Sequence, residues 1–390
     1  MFVIMFHSVG LEKSNWPWRW LSVSRTHFEN ICRYIAENRY TTYHLDEWYT
    51  YTGSTSKKDP KKLVLTFDDG YLDNWIYVYP ILKKYGLKGT VFINPDFVDP
   101  GVDIRPNMDE FCDQNNSTIQ VTGFLNWAEI KKMDQSDHMD IQSHSMTHDF
   151  LFFSDKIKDI YSGQDEYLWL PWIYNRPNKY NYMSNSHDKA LFGSPVFEYD
   201  RALRVRKYIP DPRFIEKSQS YFSEQKRDFM KYGDSEKSYD IKMLKSLHYK
   251  YSGHFESEVE TRERYIMELA GSKKLIEEKL KKSIKYLCWP GGGYNELSLK
   301  ISEECGYIAS TLGSSPAKQN VTKNRDYKRI DRFGLSSFQK VGNEWIYMNQ
   351  PDYLISNMKA RTGNYPLRVK MKMIKEWNKR FSIINTKYSD

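Results

Sequence analysis

The sequence of 390 residues predicts an α/β protein built on a parallel sheet or barrel. Three observations support this fold class. Apolar runs of strand length recur along the chain, helical patterns separate them, and polar residues follow several of the runs directly. Repeated strand–helix units form parallel sheets, which carry catalytic groups at the carboxyl ends of their strands.

The predicted elements of the first half follow in order. The run "FVIMF" is apolar throughout, as expected of a strand covered on both faces. A helix is predicted over 24–38, because Phe28, Ile31 and Ile35 recur at helical spacing. After the turn-rich linker "TGSTSKKDPKK" come the strand "LVLTF", a helix around 72–85, the strand "GTVFIN", the helix "FLNWAEIKKM" and the strand "MDIQSH".

The series resumes after residue 255. The charged stretch 256–283 predicts a helix, and the strand "IKYLCW", the helix "NELSLKISEEC" and the strand "YIAST" follow it. The apolar positions of 256–283 predict one buried stripe: Val259, Tyr265, Leu269, Leu275, Ile276 and Leu280.

Between residues 149 and 255 a stretch rich in aromatic residues interrupts the alternation of strands and helices. We interpret it as an insertion. Its aromatic side chains either form a small core of their own or line a substrate cleft, since an aromatic face suits a sugar ring. Trp169, Trp172 and Tyr174 are the first candidates for substrate binding.

The amino-acid composition limits the kinds of partner and the cellular location that we expect for this protein. The formal net charge of +8 and the aromatic content of 16% indicate a polyanionic or sugar-bearing partner, without deciding between them. The longest apolar runs are too short to span a membrane, and the first ten residues do not form a signal peptide. The four cysteines contain no CxxC pair, which is typical of reduced thiols, so we expect a cytoplasmic protein.

Two adjacent carboxylates end the strand "LVLTF". Asp68 and Asp69 would repel each other unless a cation or a shared proton lies between them. His144 and His148 follow later, at a spacing that on a helical turn brings both imidazoles to one ion. One Asp and two His leave ligand positions open for water, as in a catalytic metal site, while the other Asp can stay ionised as a base. Gly70 permits a sharp turn that keeps the two Asp side chains together.

The motifs "TFDDG" and "HSMTH", in this order, resemble the first two motifs of the polysaccharide deacetylases, the NodB-homology carbohydrate esterases. The resemblance covers residues 1–150 and 256–335. It implies a distorted (β/α) barrel in which Asp68 is the general base. It also implies that Asp69, His144 and His148 bind a divalent metal.

The stretch "CWPGGGYNE" resembles the third motif of the same family. The resemblance implies that Trp289 and Pro290 line the substrate site and that the N–H of Gly291 helps to hold the oxyanion. The family usually has an Arg where Cys288 stands, to orient the base. The replacement would come from "YKRIDRFG", either as Arg329 or as Arg332, although both could also be surface residues.

The family usually takes its general acid from a His that follows the third motif, and this chain has none there. The stretch "VIMFHSVG" ends an apolar strand in His7 instead, and it resembles the N-terminal motif of the circularly permuted branch. We therefore expect His7 to protonate the leaving amine, near the metal. The alternative is a structural histidine at the end of a strand.

The resemblance implies a metal-dependent hydrolase that removes the N-acetyl group of an amino sugar in a glycan or glycan precursor. Zinc is the expected metal, with nickel, cobalt and iron as alternatives. Other interpretations are a deformylase or another amidohydrolase of this fold, and an inactive relative that only binds carbohydrate. The expected substrate is a cytoplasmic precursor, either nucleotide-linked or lipid-linked, and no nucleic-acid motif is present.

Residues 1–340 are predicted to form the catalytic domain, and 341–390 a basic helical tail. Between Lys359 and Lys387, nine basic residues stand against one acid, Glu376. A helix here either lies on an anionic membrane surface or docks on the domain. Its apolar stripe would consist of Met371, Ile374, Trp377, Phe381 and Ile384.

Overall fold

The computed structural model describes residues 1–55, 59–110, 120–175, 178–181, 189–224, 234–313, 326, 328–341, 344–348 and 350–381. The strands, numbered along the chain, are β1 Phe2–Phe6, β2 Ser8–Val9, β3 Ser22–Val23, β4 Thr41–Thr42, β5 Lys62–Phe67, β6 Gly89–Ile93, β7 Met139–Ser143, β8 Phe150–Ile160, β9 Pro195–Arg201, β10 Tyr208–Ile209, β11 His254–Phe255, β12 Tyr286–Leu287, β13 Ala309–Thr311, β14 Arg329–Ile330, β15 Arg332–Gly334, β16 Phe338–Val341 and β17 Glu344–Tyr347.

The α-helices are Arg25–Glu37, Leu45–Ser54, Tyr79–Lys84, Trp127–Asp134, Leu170–Tyr174, Pro212–Glu224, Asp234–His248, Glu258–Ile266, Ser272–Leu280, Glu296–Glu304, Tyr353–Arg361 and Tyr365–Phe381. Two π-helical turns, Asn74–Val78 and Met267–Gly271, join directly onto helices in this series.

A parallel sheet lies at the centre of the described residues, in the order β14-β13-β12-β7-β6-β5-β1-β15, with β4 beside β5. β14 and β15 are at opposite ends of this order, yet only Asp331 separates them in the chain. Because successive Cα atoms are about 3.8 Å apart, the sheet must curl until its two edges meet. The predicted α/β class is confirmed, and the curled sheet agrees with the predicted distorted barrel.

The register of the sheet aligns polar residues at its carboxyl edge. β1 and β5 pair residue by residue up to Phe6 and Phe67, so His7 and Asp68 leave the sheet side by side. β6 and β7 pair in the same way, and the His144 N–H donates to the last carbonyl of β6. The buried, apolar strands therefore fix where the polar side chains begin.

The helix predicted over 24–38 is confirmed as Arg25–Glu37, with Ser24 accepting a capping hydrogen bond. The predicted linker "TGSTSKKDPKK" begins later than expected, because the helix Leu45–Ser54 includes its first residues.

The stripe predicted for 256–283 is partly correct. Tyr265, Leu269 and Ile276 are buried, and Leu275 and Leu280 are partly buried. Val259 was predicted to be buried, but 65% of it is exposed. Residues two apart on a helix point in nearly opposite directions, and at this turn Thr261 takes the buried face.

The aromatic stretch predicted as an insertion forms antiparallel pairs, β8 with β9 and β10 with β11, outside the central sheet. Its aromatic residues share one buried cluster with aromatic residues that follow the central strands. The cluster includes Tyr71, Phe97, Phe124, Phe152, Trp169 and Trp172. The prediction of a core is therefore correct for part of the stretch, although this core is continuous with the barrel.

The chain after the barrel forms the hairpin β16–β17 and then two helices, Tyr353–Arg361 and Tyr365–Phe381. The first of these helices buries Leu354, Ile355 and Met358. On the second helix Met371 and Ile374 are partly buried, while Ile384 and Lys387 lie outside the described residues. Among the described helices, none combines the length and the apolar character needed to cross a membrane.

Candidate active site

A sharp turn follows β5 and brings two carboxylates into one cavity. Asp69 and Gly70 both adopt left-handed backbone conformations, with φ angles of 75° and 68°. A side chain at Gly70 would also crowd Ile93, because its Cβ would lie 3.1 Å from Ile93 Cγ2. The turn thus keeps Asp68 and Asp69 from pointing to opposite faces, as they would on a continuing strand.

Asp69 meets two imidazoles at the floor of this cavity. Its Oδ1 lies 3.2 Å from His144 Nε2 and 3.3 Å from His148 Nε2. The helical turn expected for the two histidines is wrong, since residues 144–148 form a loop. Ser145 and His148 have φ angles of 65° and 57°, and these conformations bring the rings together without a helix.

The donor set of Asp69, His144 and His148 fits a divalent cation. His144 Nδ1 lies 2.9 Å from the Cys288 carbonyl oxygen, which can only accept, so Nδ1 carries the proton and Nε2 is free to bind a metal. Asp69 Oδ1 is buried and receives no hydrogen bond from the described residues. A carboxylate oxygen and two imidazole nitrogens converging in this way would hold such an ion and leave positions for water.

Asp68 is held by Arg332 in a two-point ion pair. Arg332 Nη1 donates to Asp68 Oδ1 at 2.7 Å, and Nη2 donates to Oδ2 at 2.8 Å. Burial raises the pKa of Asp68, but the charge and hydrogen bonds of Arg332 outweigh it and keep this pKa below its ordinary value. Arg332 Nη2 also lies 2.9 Å from Cys288 Sγ, so the guanidinium fills the space beside the small Cys288 side chain.

Arg329 does not share this position. Its Nη2 donates to Glu303 at 2.9 Å, and its Nε lies 3.6 Å from Asp326. Of the two arginines considered from the sequence, the structure therefore brings Arg332 to Asp68 and Arg329 to a different ion pair.

His7 lines the same cavity as the two aspartates and the two histidines. Asn74 Nδ2 donates to the His7 carbonyl oxygen at 3.0 Å. Buried Asp73 accepts from the Val9 N–H and the Ser8 hydroxyl, each at 2.8 Å. These bonds fix the backbone at His7 and the two residues that follow it. The predicted approach of His7 to the metal stays a prediction.

Comparison with known proteins adds to this geometry. Residues 55–167 match the family model described as polysaccharide deacetylase. The matched range contains Asp68, Asp69, His144 and His148. Over this range the chain is similar to polysaccharide deacetylases. The predicted family is confirmed, whereas its circularly permuted branch stays a prediction.

Two relatives extend the comparison. The Bacillus subtilis (strain 168) protein YxkH, provisionally named a polysaccharide deacetylase, is 35% identical over 91 residues, which are 23% of this chain and only 30% of YxkH. A de-N-acetylase structure from Aggregatibacter actinomycetemcomitans matches at a TM-score of 0.51 with 16% identity, covering 92% of this chain and 98% of that one. At this identity the second match shows a shared fold.

The third deacetylase motif forms one wall of the cavity. Trp289 lines this cavity and stacks on Tyr294, with 5.0 Å between the ring centroids. Its backbone N–H donates to the Thr311 hydroxyl. Gly291 also lines the cavity. Pro290 is buried and is not among the residues that line the cavity, so its contact with the substrate stays a prediction.

Aromatic side chains also line this cavity, which has a volume of about 490 Å³. Trp169 and Trp172 line it as predicted, but Tyr174 does not, because its hydroxyl donates to the Pro195 carbonyl oxygen behind the wall. Aromatic residues that were not predicted also line it: Trp18, Trp20, Tyr71, Phe97, Phe124 and Phe150. The run "NWPWRW" was the available signal for the first two.

Two buried charged residues that were not predicted, Lys179 and Glu268, form hydrogen bonds with the loop between His144 and His148. Lys179 donates to the Thr147 carbonyl oxygen and pairs with Asp149 at 2.5 Å and Asp96 at 3.0 Å. Glu268 accepts from the Thr147 N–H at 3.0 Å. These partners lie far apart in the sequence and match no motif, so a single sequence offers no signal for them.

Proposed function

We propose that this protein is a metal-dependent hydrolase that removes the N-acetyl group of an amino sugar in a glycan or glycan precursor. One observation carries the proposal. A carboxylate–imidazole cluster suited to a divalent ion and a buried Asp68–Arg332 pair line the same cavity, next to His7. The aromatic wall supports a sugar as the substrate, because apolar ring faces pack on sugar rings.

The reaction follows from the positions of these residues. When bound, a divalent ion polarises the acetamide carbonyl and lowers the pKa of the attacking water. Asp68, kept ionised by Arg332, accepts the proton of that water. The Gly291 N–H donates to the carbonyl oxygen as it becomes negative, and His7 donates a proton to the nitrogen that leaves. The products are an amino sugar and acetate.

Zinc is the metal we propose, because one carboxylate and two imidazoles are ligands it commonly takes in catalytic sites. Nickel, cobalt and iron also bind such sets. Metal analysis of the protein purified without added metal, followed by reloading with each ion, would rank them.

The proposed function is tested by measuring acyl release. Metal-loaded protein is incubated with free, nucleotide-linked and lipid-linked N-acetylated sugars, and acetate and the mass loss of the sugar are followed by mass spectrometry. We expect release from at least one class and none with Asp69→Ala. Formate release from N-formyl sugars alone would replace the proposal with a deformylase, and binding without release would replace it with a carbohydrate-binding protein.

The first prediction concerns the aromatic wall. Trp169→Ala and Trp172→Ala should raise KM more than they lower kcat, because they remove contacts that substrate and transition state share. Steady-state kinetics on the substrate identified above would measure this effect. Tyr174→Phe is the matched control, since it removes only a hydroxyl behind the wall. Unfolding of both Trp variants by circular dichroism would instead show that these rings serve the core alone.

The second prediction concerns the pH dependence of the base. Arg332 opposes the effect of burial on Asp68, so removal of its charge raises the pKa of Asp68. The base must be ionised to act, so kcat/KM declines as the pH is lowered. In Arg332→Met this decline should begin at a higher pH than in the wild type. Arg329→Met is the matched control and should keep the wild-type acid limb. Identical acid limbs for Arg332→Met and wild type would contradict the assignment of Asp68 as the base.

The third prediction concerns the basic tail, for which we propose an anionic membrane surface as partner and a cytoplasmic location at the inner face. Each basic residue near such a surface contributes about 1 kcal/mol, weakened by salt. Co-sedimentation with anionic liposomes should fall with added salt and after truncation at residue 364, which spares the helix Tyr353–Arg361. Equal recovery of the protein with neutral and anionic liposomes would contradict membrane binding and favour a tail helix that docks on the domain.

A further inference from the structure

Arg201, at the end of β9, extends from the aromatic stretch into the cavity beside His148. Its guanidinium stacks on the Phe150 ring at 3.8 Å, and its Nη1 lies 3.2 Å from His148 Nδ1. No motif in the sequence indicates a role for this residue.

Two glycines of the third motif make room for this side chain. A Cβ atom on Gly291 would overlap Arg201 Nε, and a Cβ atom on Gly293 would overlap Arg201 Cβ. The guanidinium therefore occupies the space that a side chain at position 291 would need. Segments about 90 residues apart in the chain thus build this position together.

The charge of Arg201 has no carboxylate partner among the described residues, unlike the other buried cations at this site. Arg332 pairs with Asp68, and Lys179 pairs with Asp149 and Asp96. A guanidinium stays cationic at neutral pH even when it is partly buried. A partly buried cation without an anion is costly, so an anion that enters the cavity would be bound favourably.

The contact with His148 indicates when Arg201 can donate hydrogen bonds to another acceptor in the cavity. A guanidinium only donates, so in this contact His148 Nδ1 accepts and Nε2 carries the ring proton. A His148 that binds a metal through Nε2 must carry its proton on Nδ1, which then cannot accept from Arg201. Metal binding therefore frees the Arg201 N–H groups for an acceptor in the cavity.

We propose that Arg201 is an anion-binding catalytic residue, which holds the oxyanion of amide hydrolysis and the carboxylate product. The proposal rests on the proposed function. In that reaction the water oxygen adds to the carbonyl carbon, the C–N electron pair passes to the nitrogen with a proton, and the negative charge stays on the acyl oxygens. Arg201 contacts His148, a proposed metal ligand, and packs against Gly291, whose N–H is assigned to the acyl oxygen. Guanidinium groups bind carboxylates at two points.

The test uses acetate as the probe and the full chain, both metal-loaded and chelator-treated. Acetate binding is followed by the fluorescence of the tryptophans in the cavity wall, with chloride as the ionic-strength control. In the metal-loaded form Arg201→Met should weaken binding by about tenfold, as expected for a charged hydrogen bond. The loss should be smaller in the chelator-treated form, where Arg201 also donates to His148. Arg204→Met, three residues away and paired with Asp200, should bind like the wild type. Equal affinities in wild type and Arg201→Met would overturn the proposal.

Kinetics of the metal-loaded variants give a second measurement. Arg201→Met should lower kcat by about 10²–10³-fold with little change in KM, the effect of losing an oxyanion donor. A rise in KM limited to substrates that carry a phosphate or carboxylate, with kcat unchanged, would overturn it in favour of recognition of a charged sugar. If the wild type hydrolyses no N-acetylated sugar but acetate binding depends on Arg201, the proposed function fails and the anion site stands.

Discussion

Replacing Asp68 with Asn should lower kcat by about 10²–10⁴-fold while the protein keeps its metal. Asn has the shape of Asp but cannot accept a proton from water, and it lies outside the cluster formed by Asp69, His144 and His148. Alanine at any of those three positions should instead remove the metal and the turnover together, because only two donors remain. Metal content by mass spectrometry and kcat on the same preparations separate the two behaviours.

Asp137→Asn is the matched control for this series, since Asp137 is exposed and does not line the cavity. It should keep both metal and turnover. Substantial turnover by Asp68→Asn would show that another group takes the proton. Metal loss by Asp68→Asn would place Asp68 among the ligands, with Asp69 then free to act as the base.

The second large effect is expected at His7. His7→Ala should keep the metal and lower kcat by about 10²–10⁴-fold, the usual effect of removing a positioned acid. The leaving amine then departs without a proton, so the loss should be smaller for substrates whose amine leaves more easily. His254→Ala removes an exposed imidazole and is the matched control. A comparison of kcat for the two variants on a poor and an activated amide measures the effect.

His7→Ala with near-normal kcat would contradict the role of His7, and with it the proposed resemblance to the circularly permuted branch. A general loss of folding would be detected by circular dichroism. In that case His7→Gln, which keeps a polar side chain at the strand end, provides the second test.

The sequence predicted those parts of the site that follow directly from strand ends. His7, Asp68 and His144 each come after an apolar run, and parallel pairing brings such positions to one edge. The choice between Arg329 and Arg332 could not be made, because it depends on which ion pairs form after folding. The loop at His148 could not be predicted either, since left-handed residues other than glycine leave little trace in a sequence.

Contacts between distant segments explain why the other features of the site were not predicted. Lys179 and Arg201 act on the histidine loop from a stretch whose only visible property was aromatic content. Tyr174 has the composition expected of a binding residue but turns to the Pro195 carbonyl oxygen. Backbone acceptors of this kind become visible only in three dimensions.

The junction of the sheet edges at Asp331 has a consequence for biogenesis. Asp68, the proposed base, and its partner Arg332 are 264 positions apart in the chain, and Arg332 lies on the strand at which the two sheet edges meet. A nascent chain on the ribosome therefore exposes its histidine pair and both aspartates long before it can form the Asp68–Arg332 pair. Contacts of such long range also slow folding. Hydrolytic activity should thus appear only after β15 has left the ribosome, in a single late step of maturation.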